Sequence, residues 1–234
     1  MTYLNSTVVM NKLVSKILLF LLMLTTFQGL QAQKGAKETA VDPQAKKLLD
    51  KATAAFDSKS GLTIDFSLIM ENLREGGKRQ TIPGKILLRG DHFKLSVAGV
   101  DTYFDGKTEY VYVEKNKEVT ITNPSQEDLK DINPLFLMKS YQSGYKMRYA
   151  GAVSVNGKEL EMIDLYPNDL SNDYSIITIV LDKASLVLQS VKMQGKAGIN
   201  TVLDVTKVTK KALADSEFVF NTDAHKGVEV IDLR

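Results

Sequence analysis

Residues 62–70, LTIDFSLIM, set Leu62, Ile64, Phe66, Leu68 and Met70 at every second position. A period of two is that of a strand with one buried face. The chain before it reads differently. Asp42 and Pro43 have the character of an N-cap and first helical residue, after which Ala45, Leu48, Leu49, Ala52, Ala55 and Phe56 recur at spacings of three, four and seven. Lys46, Lys47, Asp50 and Lys51 fall on the other side, so this helix is amphipathic, and Ser58, Lys59, Ser60 and Gly61 end it. Downstream, the alternation predicts strands at 82–89, 93–97, 102–105, 108–114, 119–122, 147–155, 159–165, 176–182, 187–194, 200–208, 218–220 and 228–231. Gly76-Gly77, Asp105-Gly106, Asn116-Lys117 and Asn156-Gly157 supply hairpin turns between them. The expected fold is therefore an antiparallel sheet, and one with this many consecutive strands must curl or close to limit its edges.

One segment interrupts the meander. Ser125 and Asp128 have capping-box spacing, and Asn133-Pro134 starts a second helix containing Leu135, Phe136, Leu137, Met138 and Tyr141 before Gly144. Four consecutive apolar residues leave its first turn without a wet face. A helix buried as a core plug and a lid over an apolar cavity both satisfy that pattern.

Composition bounds the rest. The 234 residues are 44% hydrophobic and 25% charged, which is ordinary for a folded protein. The 30 basic and 28 acidic residues give a net charge of +2, and residues 1–32 contain Lys12 and Lys16 but no acid. Those lysines precede an apolar run from Ile17 to Phe27 that ends in Gly29, Leu30, Gln31 and Ala32, the layout of a cleavable signal peptide. The run is about half the ~20 residues a spanning helix needs. Translation starts at Met1 or at Met10, just ahead of the first lysine. Residues 33–41 read as a disordered tether, and the mature protein is neutral. Its lack of cysteine means that export requires neither a disulfide nor an acylated cysteine anchor.

Catalytic signatures are missing. His92 and His225 lie far apart without metal-ligand spacing and read as solvated turn histidines, and no G-x-S-x-G elbow occurs. Gly106-Lys107-Thr108 imitates the end of a phosphate loop, but Asp101 stands where its first glycine should be. Glu159 and Glu161 share a strand face and read as a solvated edge. Neither basic runs nor excess charge favours nucleic acid. The expectation is a binding protein with no enzymatic activity, metal or cofactor.

Taken in order, several segments resemble the LolA family of periplasmic outer-membrane lipoprotein carrier proteins. They are Leu48-Leu49-Asp50-Lys51, Asp65-Phe66, Gly84-Lys85-Ile86-Leu87-Leu88-Arg89 leading to Phe93, and Tyr103-Phe104-Asp105-Gly106-Lys107-Thr108. Asn133-Pro134-Leu135-Phe136-Leu137-Met138, Phe218-Val219-Phe220 and Gly227-Val228-Glu229-Val230 continue the series. The resemblance covers nearly the whole mature chain and implies one domain over residues 42–234. That domain would be mainly β with helices, an incomplete, unclosed antiparallel β-barrel with an α-helical lid over an apolar cavity. It further implies that Phe66, Leu95 and Phe104 wall the cavity, that Leu49, Phe136 and Met138 form the lid side, and that these six bind lipid. Arg89 would be a lid latch, although the family follows that arginine with proline and here Gly90 follows; a solvated strand-end arginine is the other reading. The implied function is a soluble, monomeric carrier in the periplasm of a Gram-negative (diderm) bacterium. It would take acylated lipoproteins from an inner-membrane ATP-driven lipoprotein extractor to an outer-membrane acceptor. A lipid-binding or envelope-sensing module of the same fold, or a carrier of another lipid, is the alternative.

Overall fold

Asp42 sets the first element. Its Oδ1 accepts hydrogen bonds from the Gln44 and Ala45 amides, which caps helix α1 (Pro43–Ala55) as the sequence predicts. The computed structural model describes residues 41–55, 61–125 and 144–234. After α1 come β1 (Leu62–Asn72), β2 (Lys78–Arg89), β3 (His92–Val97), β4 (Val100–Phe104), β5 (Glu109–Val113) and β6 (Glu118–Thr122). They are followed by β7 (Tyr145–Val155), β8 (Lys158–Pro167), β9 (Tyr174–Asp182), β10 (Leu188–Gly195), β11 (Ile199–Lys210) and β12 (Glu229–Asp232). The second expected helix, the signal segment and the expected tether up to residue 40 lie outside the described residues, whereas Val41, the tether's last residue, forms a parallel bridge with Met147.

These strands form one sheet in the order β12-β6-β5-β4-β3-β2-β1-β11-β10-β9-β8-β7. Two meanders, β1 to β6 and β7 to β11, meet where β1 pairs with β11. Among the described residues no ladder joins β7 to β12, so the sheet is unclosed. At the β7–β8 turn Asn156 and Gly157 have φ of +52° and +77°, the left-handed pair that a tight two-residue hairpin requires.

Two expectations need correction. Residues 218–220 are not a strand: Asp215–Phe218 is a 3-10 turn, with the Glu217 amide donating to the Ala214 carbonyl. The alternation that suggested a strand is satisfied in another way, because Phe218 and Phe220 are both buried against the sheet while Val219 points outward. Nor is the sheet wholly antiparallel. The chain crosses the sheet's face before it reaches the β6 edge, so β12 runs parallel to β6. It covers backbone groups that β6 would otherwise expose.

The strand registers assign side chains to two faces. On one, which we call inner, a row runs Ile163, Ile179, Val191, Leu203, Leu68, Ile82, and a second runs Ile64, Ile86, Leu95, Thr102, Val111. On the outer face, Leu87 packs with Leu213 and Phe218, while Tyr103, Val119 and Ile121 pack with Phe220.

Phe66 and Gly84 are directly opposed on β1 and β2. A Cβ built on Gly84 would collide with Phe66 Cζ, so the far edge of the ring occupies the space over the glycine. Only a residue without a side chain leaves that space. Gly84→Ala should therefore displace the ring and destabilise the fold by about 1–3 kcal/mol. A urea midpoint unchanged from that of the parent protein would show that the ring has another resting place.

Candidate functional site

Helix α1 covers only part of the inner face. Ala45, Leu49 and Ala52, on its buried side, pack with Met147, Ile163, Leu165, Ile177 and Leu181 of β7, β8 and β9. A second cluster, Leu62, Ile64, Leu88, Phe93 and Phe104, lies on β1 to β4, where the Phe93 and Phe104 ring centroids are 5.7 Å apart. Leu188 touches both clusters. Around and between them, Ile86, Leu95, Ile179, Val191, Met193, Val205 and Val208 are only half-buried. The inner face is thus an apolar surface whose flanks are sealed and whose middle is partly open among the described residues.

This surface can remove hydrocarbon from water. Apolar burial is non-directional and scales with area, so half-exposed branched side chains on a shared face favour a flexible apolar ligand over a polar one. Phe66 and Phe104 are buried and Leu95 is half-buried on this face, and Leu49 reaches the same face from α1. These four predicted residues are brought to one surface: Leu49 in the first cluster, Phe104 and Leu95 in the second, and Phe66 on β1 opposite Val205. Phe136 and Met138 lie outside the described residues. Arg89 is not on the inner face, because Leu88 points inward and the alternation turns Arg89 the other way. Its guanidinium donates to the Leu213 carbonyl, pairs with Asp215 and stacks 5.2 Å from the centroid of the Phe218 ring. The described partners of Arg89 thus belong to the segment after β11.

Three residues read as solvated are packed. His92 meets the edge of Phe218 at 5.6 Å, and His225 stacks on Phe220 at 4.4 Å and meets Tyr112 at 4.8 Å. Residues 218–220, expected as a strand, instead supply those phenylalanines: Phe218 reaches His92 from far along the chain, and Phe220 reaches His225 from the preceding turn. Glu161 is 8% exposed and its Oε2 accepts from the Tyr149 hydroxyl. The odd positions of β8 carry Ile163 and Leu165 inward, and Glu161 shares their parity; that was the available signal. The bond raises the Tyr149 pKa above its ordinary value. The half-exposed middle formed by Ile179, Val191, Met193 and Val205 was not legible either, because single-strand alternation does not say which strands stand side by side.

α1 is tied to the sheet at its start. The Asp42 amide donates to the Met147 carbonyl at 3.2 Å, and Asp42 Oδ2 accepts from the Tyr149 amide at 3.0 Å. One carboxylate thus caps the helix and holds it on β7. The Tyr149 amide, followed by that of Gln44, holds the Asp42 carboxyl below its ordinary pKa.

Residues 37–196 match the family model described as outer membrane lipoprotein carrier protein LolA. No curated protein matches the chain in sequence. Among solved structures, an uncharacterized conserved protein from Thermus thermophilus is 10% identical with a TM-score of 0.55, and the match covers 81% of this chain and 99% of that one. A LolA superfamily protein from Nitrosomonas europaea is 12% identical with a TM-score of 0.39, over 75% and 97% of the two chains. The MucA/MucB complex of Pseudomonas aeruginosa gives 16% identity and a TM-score of 0.40, over 77% and 62%. At such identities the likeness to the Thermus protein shows a shared fold and nothing further.

The Asp42 anchor is testable by pH. A lowered folded pKa means that its stabilising contribution is complete above the ordinary aspartate value of 3.8 and is lost as pH falls through the folded value. Asp42→Ala should speed amide hydrogen exchange along α1 and at Tyr149 at neutral pH, and should abolish the acid-induced loosening of α1 expected in the parent. Equal exchange in the two proteins at neutral pH would show that apolar packing alone holds the helix.

Proposed function

Because the chain belongs to the family of the outer membrane lipoprotein carrier protein LolA, matched over residues 37–196, we propose that it binds the acyl chains of lipoproteins on its inner face and ferries them across the periplasm. The observation that carries this reading is the half-buried apolar surface of Ile86, Leu95, Ile179, Val191, Met193, Val205 and Val208 beside α1. Phe66, Leu95 and Phe104 form one wall for the acyl chains, Leu49 closes the helix side, and Phe136 and Met138 contribute from the segment beyond β6. The domain spans residues 42–234, and residues 1–32 direct export and are removed.

Each acyl methylene withdrawn from water is worth roughly 0.8 kcal/mol, so a lipid anchor does not cross an aqueous compartment bare. A carrier must approach the membrane's affinity without exceeding it, or release fails. A surface already half-covered by its own helix fits that requirement, since bound chains gain burial while the helix and neighbouring wall residues compete for the same contacts. An inner-membrane ATP-driven extractor would load the carrier and an outer-membrane acceptor would unload it. Family membership supports this reading, and the sequence supplies no nucleotide motif for doing the work alone.

Leu95→Glu should abolish binding of a fluorescent lipopeptide, because an unpaired carboxylate would lie in the acyl path. The circular dichroism spectrum should be retained, since Leu95 is only half-buried. Lipopeptide affinity equal to that of the parent protein would remove the inner face from the mechanism. Native mass spectrometry of the protein purified from cells separates the carrier from its alternative: an acylated protein at one to one supports transport, and a free lipid favours the lipid-binding or sensing reading.

A further inference from the structure

Leu170 is 84% exposed and Leu73 is 54% exposed, and both sit at turns on the same end of the sheet. Leu73 begins the β1–β2 turn and Leu170 stands in the β8–β9 turn, with the β10–β11 turn between them. Contacts join the three. The Leu73 amide donates to the Gly198 carbonyl at 2.9 Å, the Lys196 amide to the Asp173 carbonyl at 2.9 Å, and Lys196 Nζ to the Leu170 carbonyl at 2.5 Å.

Neither leucine is on a loose loop. Around Leu170, Asp169 Oδ1 accepts from the Ser171 amide at 2.8 Å and from the Ser171 hydroxyl at 2.7 Å, and the Asn172 amide donates to the Asp169 carbonyl at 3.3 Å. Beside Leu73, Asn72 Oδ1 accepts from the Arg74 amide at 3.1 Å, and the Gly77 amide donates to the Asn72 carbonyl at 2.9 Å. Braced turns thus hold Leu170 almost wholly, and Leu73 by half, out in water, where that apolar surface gains nothing from burial.

We propose that this end of the molecule docks on a lipid bilayer, with Leu73 and Leu170 inserted among the acyl chains. A lipid surface suits the geometry better than a protein partner does. A specific protein interface needs about 800 Å² of continuous surface per partner, whereas insertion into a bilayer needs only protruding apolar side chains with polar neighbours at headgroup depth. Arg74 and Lys196 stand at that depth, where long basic side chains keep their stems in apolar surroundings and their charges in water. Charge does not drive the docking. Arg74, Lys78, Arg79 and Lys196 are balanced by Glu71, Glu75, Asp169 and Asp173 across these turns, so insertion supplies the affinity and salt should scarcely weaken it. The proposal does not rest on acyl binding by the inner face.

The chain contains no tryptophan, so a single introduced indole reports its own surroundings. In the full chain, Leu170→Trp should shift its emission to the blue and lose acrylamide quenching when vesicles of phosphatidylethanolamine and phosphatidylglycerol are added, in low and high salt alike. Val155→Trp, beside the turn at the opposite end of β8, should not change. Adding Leu73→Ser to Leu170→Trp should raise the lipid concentration at the midpoint roughly tenfold, the loss expected for one inserted leucine. An unshifted Leu170→Trp, a Val155→Trp that shifts equally, or docking that disappears in high salt would each overturn the proposal. Leu95→Glu in the Leu170→Trp background should leave the shift intact, which separates failure of this docking from failure of acyl binding.

Discussion

The pairing of β1 with β11 is the contact on which the rest of the sheet depends. It joins residues 62–72 to residues 199–210, so the chain must close a long loop before the first of its bonds forms. Once formed, it sets the parity of both meanders: which residues of β2 to β6 face inward follows from β1, and those of β10 to β7 follow from β11. A bulge at Asp65/Phe66 makes the two agree. Ile64 stands opposite Val208 and Phe66 opposite Val205, with Thr206 the extra residue. Without it, Val205 and Val208 would point to opposite faces. With it, both line the inner face.

The two faces are finished differently. Over β2 to β6 the outer one is covered by the chain itself: after β11 the segment lays Leu213, Phe218 and Phe220 over Leu87, Tyr103, Val119 and Ile121. Arg89 and Asp215 fasten the beginning of that segment, and the stack of Phe220, His225 and Tyr112 fastens its middle. β12 then covers the β6 edge. The inner face receives only α1 among the described residues, over β7 to β9. Such an asymmetry does not follow from composition, since both faces of β1 to β6 offer apolar positions. It follows from the route of the last two dozen residues, which satisfy one face and leave the other with half-buried side chains.

This route explains what the sequence made legible. Alternation located every strand core from β1 to β11, because a period of two is local, and the Asp42-Pro43 start of α1 was equally local. Leu49, Phe66, Leu95 and Phe104 were grouped on one face by the family resemblance, since alternation within one strand does not relate it to its neighbours. Long-range placement was not legible. Phe218-Val219-Phe220 alternates as a strand does, yet its two rings are pins pressed onto the sheet, and no local pattern distinguishes the two uses. His92 and His225 looked solvated because the phenylalanines they touch arrive from distant sequence or from a neighbouring turn. The bulge left a trace that becomes meaningful only with the partner strand known: inward residues Leu203 and Val205 are two apart, and the next, Val208, is three further on.

Sealing one face and leaving the other partly open also bears on how tightly the proposed carrier could hold its cargo. An empty apolar surface that is fully exposed would bind acyl chains strongly and would also bind other copies of itself. One fully buried by its own helix would bind nothing without first unfolding. The inner face lies between these limits, because Leu49 and its neighbours on α1 already bury part of what a ligand would cover. A ligand gains only the difference between its own contacts and those it replaces, so the strength with which Asp42 holds α1 to β7 subtracts from cargo affinity as much as it adds to local stability. On this view the helix anchor and the acyl surface are one balance, and selection for release would act on the anchor as readily as on the wall.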